Sequence, residues 1–281
     1  MRIRISADST CDLSPELLER YDVAITPLYI RLGDRDLKDS IEVTREDIFK
    51  YVEETKAIPK TAAVNVGDYV EFFRKTKEEG YDGVVHFTIS SEMSSCYQNA
   101  CLAAEGFENV FIVDSRTLST GIGHLVLDAC ELRDEGKSAK EIFETVEQRK
   151  EKLDVSFVLD TLRYLALGGR CNSLLAFGAN LFNIKPSIQV KEGKMGVEKK
   201  YRCSFERAVV RYVNEKLQDR DSLNLKRIFI TDSGVSDEVF NAVKEAVEKN
   251  ASFAEVLHTR AGCTVSSHCG PNCIGILFYR N

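Results

Sequence analysis

Three apolar runs in the first half of the chain each end in a cluster of hydroxyls, and this repetition constrains the fold more than any other feature. Ile3-Arg4-Ile5 runs into Asp8-Ser9-Thr10-Cys11-Asp12, with Ser14-Pro15 opening the next helix-like stretch. Gly83-Val84-Val85-His86-Phe87 runs into Ser90-Ser91-Glu92-Met93-Ser94-Ser95-Cys96-Tyr97-Gln98, ahead of a helix-like segment from Ala100 to Ala104. Val110-Phe111-Ile112-Val113 runs into Asp114-Ser115-Arg116-Thr117, then Ser119-Thr120-Gly121-Ile122-Gly123. A strand that turns into a helix through serines offers unpaired N–H donors and a partial positive charge, a setting for a carboxylate or phosphate. Serine is also an ordinary N-cap and turn residue, so one such junction means little. Three suggest one edge of a parallel sheet, where open α/β folds place ligands. None is a dinucleotide fingerprint: Val126 stands where Gly121-Ile122-Gly123 would need its third glycine, and no Walker-type lysine motif occurs.

The rest of the first half fits that sheet. Pro15 to Tyr21 reads as a helix and Ala24 to Ile30 as a strand. Thr44 caps a helix with Asp47 three residues on, and Ile48, Phe49 and Val52 form its apolar face. Pro59 to Ala63 reads as extended, Gly67 to Glu79 as a helix, and Ser138 to Lys152 as an amphipathic helix. The alternation implies a mostly parallel sheet flanked by helices. The charged stretch Glu147 to Asp154 ends it, which predicts domains at 1–154 and 155–281. In the second, Val155 to Leu159 reads as a strand and Leu162 to Leu167 as a helical turn. Ile184 to Val190 and Met195 to Tyr201 read as a hairpin, Phe205 to Leu217 and Asp237 to Lys249 as helices. Lys226 to Thr231, Val256 to Thr259 and Ile274 to Tyr279 read as strands. Hairpins mixed with helices predict an α+β unit.

A net charge of −6 gives no basic footprint for nucleic acid. No window approaches a membrane span, and Met1-Arg2-Ile3-Arg4-Ile5 begins a strand rather than a signal peptide, so a cytoplasmic protein is expected. The nine cysteines read as reduced thiols. Cys263, His268, Cys269 and Cys273 lack the paired spacing of a zinc knuckle, and no metal or other cofactor is expected.

Taken in order, the motifs carry a resemblance. Asp8 to Leu13, Ile58-Pro59-Lys60-Thr61, Ser90 to Gln98, Asp114-Ser115 with Gly121-Ile122-Gly123, Leu162-Arg163-Tyr164-Leu165 with Gly168-Gly169-Arg170, Lys185-Pro186, and His268-Cys269-Gly270-Pro271 together resemble the DegV family, the fatty-acid-binding subunits of bacterial fatty acid kinase systems. The resemblance implies a two-domain α/β protein with a long-chain fatty acid in an apolar tunnel between the domains. It places the carboxylate at Thr61 and Ser94, with Ser91 and Ser95 of the Ser-rich segment in the same head-group set. It also implies a separate ATP-dependent kinase subunit that phosphorylates the carboxylate, with Arg170 and His268 at the mouth for phosphate handling or partner docking. The chain departs from the family's pattern at Ala62-Ala63-Val64-Asn65, where Ser-Gln-Pro-Ser is common, and at Ser95-Cys96, where Gly-Thr is usual.

Each mouth residue has an ordinary reading beside the functional one. Arg170 reads as a helix-end arginine after a glycine cap, or as a planar fork for phosphate. His268 reads as a turn histidine paired with backbone, or as a near-neutral base facing developing phosphate charge. His86, His124 and His258 read as structural. Two further readings stay open. Ser94 as nucleophile with His268 as base would make an esterase or thioesterase, although the G-x-S-x-G elbow is missing. A carrier or sensor of another apolar acid, with no kinase, is the other.

Overall fold

The structure is a computed structural model, and it describes residues 1–171 and 184–281. The chain runs β1 (Ile3–Asp8), α1 (Pro15–Arg20), β2 (Val23–Thr26), β3 (Tyr29–Leu32), β4 (Arg35–Lys38), α2 (Arg45–Thr55) and β5 (Lys60–Ala62). It continues through α3 (Val66–Glu78), β6 (Gly83–Thr88), α4 (Cys96–Ala104), β7 (Val110–Asp114), α5 (Thr120–Asp134) and α6 (Ala139–Arg149). Beyond these come β8 (Leu153–Leu159), α7 (Arg163–Gly168), β9 (Lys185–Lys191), β10 (Lys194–Tyr201) and α8 (Phe205–Lys216). The chain closes with β11 (Leu223–Asp232), α9 (Asp237–Asn250), β12 (Glu255–Arg260), α10 (Cys263–Cys269) and β13 (Cys273–Arg280).

The first sheet has the order β2-β1-β6-β7 and every pairing in it is parallel. Every residue of β6 is buried, as a parallel strand covered on both faces requires. Asp8 pairs with Thr26 and Thr88 with Asp114, so the hydroxyl-rich segments after β1, β6 and β7 leave the sheet at one edge. The single strand expected over Ala24 to Ile30 is two. Pro27 has no N–H to offer a ladder, so β2 ends before it and β3 joins a separate three-stranded sheet, β4-β3-β5. The capping box at Thr44 and Asp47 forms as read, and a second one forms at Ser138 and Glu141.

The other large sheet has the order β10-β9-β8-β13-β11-β12, antiparallel except between β11 and β12. Its side chains alternate between two cores, as strand geometry dictates. Phe157, Phe229 and Leu277 face the core shared with the parallel sheet, whereas Val158, Ile228, Ile276 and Phe278 pack under α8 and α9. The whole is an α/β fold with a parallel sheet flanked by helices and a second, mixed-sheet unit. Between the two sheets lies α5, buried on nearly every face and packed against β1, β6, β8 and β13. A helix buried on nearly every face shows no 3.6-residue apolar stripe, which is why periodicity does not reveal it. Among the described residues no helix is long and apolar enough to cross a membrane.

Candidate functional site

The edge where β1, β6 and β7 end meets α7 and α10 from the later part of the chain, and a cavity opens there. Its wall includes Leu28, Ile89, Met93, Leu118, Met195 and Val265, with Thr61, Ser94, Arg170, Thr264 and His268 as its polar members. Counted to its mouth, this slot holds about 540 Å³. Leu118, Val265 and Cys269 also line a second narrow space that runs inward past Val155, Phe157 and Leu277. An apolar slot with few convergent polar groups is the usual make-up of a small-molecule site.

Thr61 is on β5, which pairs with β3 through Ile30. Its hydroxyl shares a 2.9 Å hydrogen bond with His268 Nε2. His268 is not in a turn, as the sequence suggests, but in the last turn of α10, which ends at Gly270 with a positive φ. The backbone of α7 crowds the imidazole: a Cβ at Gly168 would stand 2.3 Å from His268 Nδ1. That nitrogen is covered and has no hydrogen-bond partner among the described residues. Burial, helped by the Arg170 cation, pushes the His268 pKa down to about 4. The ring is therefore neutral at pH 7, and the expectation of a near-neutral base is corrected.

Ser94 precedes α4, and its hydroxyl accepts the Cys96 N–H at 3.3 Å. Its proton points to Cys96 Sγ at 3.2 Å, a weak acceptor that a carboxylate could replace. The bond to the Cys96 N–H closes a local serine turn just ahead of Ser95, the N-cap residue of α4, and is not a helix cap. The other two serines turn elsewhere. Ser91 donates to Asp114 Oδ2 at 2.5 Å and is not in the cavity wall. Ser95 is exposed at the N-cap of α4 and makes no side-chain cap, so the hydroxymethyl that replaces the family's glycine projects away from the slot. Ala62 and Ala63 line the slot, supplying methyl groups where the family often has polar side chains. Arg170 is exposed at the mouth; it follows Gly169, the left-handed cap of α7, and its Nη1 donates to the Gly168 carbonyl at 2.8 Å. Thr61, Ser94, Arg170 and His268 are brought together; Ser91 and Ser95 are not.

His268 shares its bond with Thr61, not Ser94, and no carboxylate among the described residues orients its Nδ1, which is not the arrangement of a serine hydrolase. Of the four residues weighed for zinc, Cys263 Sγ donates to the Val43 carbonyl at 3.2 Å, His268 Nε2 is taken by Thr61, and Cys269 and Cys273 face each other. Among the described residues no three His, Cys, Asp or Glu side chains converge to hold a metal. His86 meets Ser6, His124 the Leu277 carbonyl, and His258 Asp232, all away from the slot. The apolar wall residues Leu28, Ile89, Met93, Leu118, Met195 and Val265 escaped the sequence reading, since they come from separate segments and form no motif.

The sequence model of the DegV family, a family described as uncharacterised, matches residues 2–281. The chain belongs to the DegV family. A DegV domain-containing protein of Deinococcus radiodurans is 30% identical over 98% of both chains. One from Clostridium acetobutylicum is 29% identical over 99% of this chain and 98% of its own. Among solved structures, a DegV family protein from Thermus thermophilus, described by its fatty acid binding, superposes with a TM-score of 0.91 at 31% identity, covering both chains in full. A DegV lipid binding protein from Thermotoga maritima does so with a TM-score of 0.88 at 26% identity, covering 100% of this chain and 99% of its own.

Proposed function

We propose that this DegV chain binds a long-chain fatty acid in the slot, with the carboxylate at Thr61 and Ser94 beside a neutral His268. The observation that carries the reading is an apolar slot whose polar lining, apart from Arg170, is the hydroxyls of Thr61, Ser94 and Thr264 and the uncharged imidazole of His268. Each buried methylene contributes about 0.8 kcal/mol, so the tail supplies most of the affinity and the head-group residues set orientation. Neutral donors hold a carboxylate without locking it into an ion pair, which leaves an oxygen free to react. In this reading a separate ATP-dependent kinase subunit acts on that oxygen in the cytoplasm. The carboxylate bonds to the γ-phosphorus, the bond to the bridging oxygen breaks, and acyl phosphate and ADP result. Arg170 at the mouth meets the phosphoryl group or the kinase. The chain itself is then a non-catalytic binding subunit, with residues 1–154 carrying the hydroxyls and 155–281 carrying Arg170 and His268.

Denaturing mass spectrometry of organic extracts from freshly purified protein tests this. A stoichiometric fatty acid of C14–C18, the lengths suggested by the family resemblance, is the expected result. An empty slot, or a different acid, would overturn the assignment and make Ala62 and Ala63 the first suspects.

A further inference from the structure

The Ser-rich loop has two faces. Met93 and Ser94 look into the slot, while Ser90 and Glu92 look toward the turn between β9 and β10 and Ser91 toward Asp114. That turn is two residues long, Glu192-Gly193, both with positive φ as a tight hairpin of this kind requires. The buried Ser90 hydroxyl donates to the Gly193 carbonyl at 2.8 Å. Arg116 spans the joint. Its Nη2 donates to the Glu192 carbonyl at 2.5 Å, and its Nη1 reaches Ser91 Oγ at 3.3 Å and Glu92 Oε1 at 3.4 Å. Lys194 adds a 3.3 Å ion pair to Glu92. A Cβ at Gly193 would lie 2.7 Å from Ser90 Oγ and 2.8 Å from Arg116 Cζ, so the close approach demands glycine.

Two further observations give this joint a bearing on the slot. Met195, two residues past the turn, is part of the same wall as Met93 and Ser94. The turn therefore seats the head-group loop and supplies the wall beside it. Arg116 also holds a left-handed backbone, φ 54°, which costs a non-glycine residue about 1 kcal/mol and is offset by its N–H bond to Asp114 Oδ1.

We propose that Arg116 is a positioning residue: with Gly193 it clamps the β9–β10 turn onto the Ser-rich loop, fixes the Ser94 hydroxyl, and sets how long a bound carboxylic acid stays. The inference rests on the fatty-acid reading above, since Arg116 itself is not in the slot wall. The test combines release of palmitate, followed by displacement with a fluorescent fatty acid, and hydrogen exchange on the ligand-free protein. Arg116→Met should speed release about tenfold, the scale of a lost charge-assisted hydrogen bond. Exchange should rise over residues 90–95 and 192–195 and not elsewhere. Arg116→Lys should recover part of both effects, and Gly193→Ala should reproduce the loss by wedging the joint open. Unchanged release and exchange in Arg116→Met, or a rise in exchange across the whole chain, would overturn the clamp. If the wild-type protein takes up no palmitate, the fatty-acid reading fails separately. The exchange pattern then still decides whether the clamp exists.

Discussion

The two ends of α5 are fastened in opposite ways. At its N-terminal end, next to the slot, the joint is made by buried carboxyl groups and hydroxyls. Asp12 accepts the Ser119 hydroxyl at 2.6 Å and the Gly262 N–H at 2.9 Å. Asp39 accepts from Ser9, from the Thr264 hydroxyl, and from the Cys263 and Thr264 N–H groups that open α10. Asp8 holds the Ile89 N–H at 2.8 Å. Among the described residues the hydrogen-bond partners of these three are hydroxyls and backbone N–H groups. At its far end α5 is held by charge: Asp128 and Glu131 meet Lys226 and Arg227 of β11, Arg149 joins Asp128, and Arg227 also reaches Glu255 at 2.7 Å. The lesson is electrostatic. The slot end of the helix is joined through buried carboxyl groups, two of which, Asp12 and Asp8, burial pushes up, while the far end is joined through ion pairs.

That contrast can be broken at either end, and the largest effect is expected at the ionic one. The Arg227 side chain is 2% exposed, so Arg227→Met removes a buried cation, leaving Glu255 without that partner and Glu131 with Lys226 alone. Removing one partner of a buried ion pair costs about 3 kcal/mol or more, to be read from urea unfolding. A loss under about 1 kcal/mol would mean that water reaches the network and that the two ends are not so different.

At the slot end the expected signature is pH dependence. Burial pushes Asp12 up to about 8, and Asp8 up to about 6, against an ordinary 3.8. Below pH 3.8 both folded and unfolded chains hold these protons and their stabilisation is complete. As pH rises, the unfolded chain releases its protons first, so stability falls, through about 6 for Asp8 and until about 8 for Asp12. The slope from one such proton is at most about 1.4 kcal/mol per pH unit. Asp12→Asn should flatten the melting temperature between pH 6 and 8. An unchanged slope in that variant would place the titration elsewhere. The smallest effect belongs to Lys226→Met, whose side chain is 45% exposed and shares its carboxylates with buried partners. It should cost no more than about 1 kcal/mol, and raised salt should hide it.

Much of this arrangement is legible in the sequence, and the failures have identifiable causes. The hydroxyl-ended strands do share one sheet edge, because apolar β runs followed by caps are short-range signals. The hairpin around Glu192-Gly193 is read from its turn residues. Thr61, Ser94, Arg170 and His268 line one cavity, and it is the family resemblance, not any local pattern, that groups them. Which serine hydroxyl turns inward is not legible, since Ser91 is drawn off by Asp114, a partner on another strand. The helix that carries His268 is hidden because Cys, Thr and Ser are indifferent helix formers. Its start is held by Asp39, far away in sequence.

Pro27 does more than end a strand. By diverting the chain out of the parallel sheet it leaves Thr61 on a small sheet of its own, whose ladder is independent of the two larger ones. The hydroxyls of Thr61 and Ser94 therefore hang from separate frames. A segment running from Pro27 to Ala63 can be exchanged as a cassette between relatives without cutting a single rung of either main sheet. Such an exchange would move Thr61 together with Leu28, Ala62 and Ala63 of the slot wall as one piece, and Ser94 and His268 would stay behind.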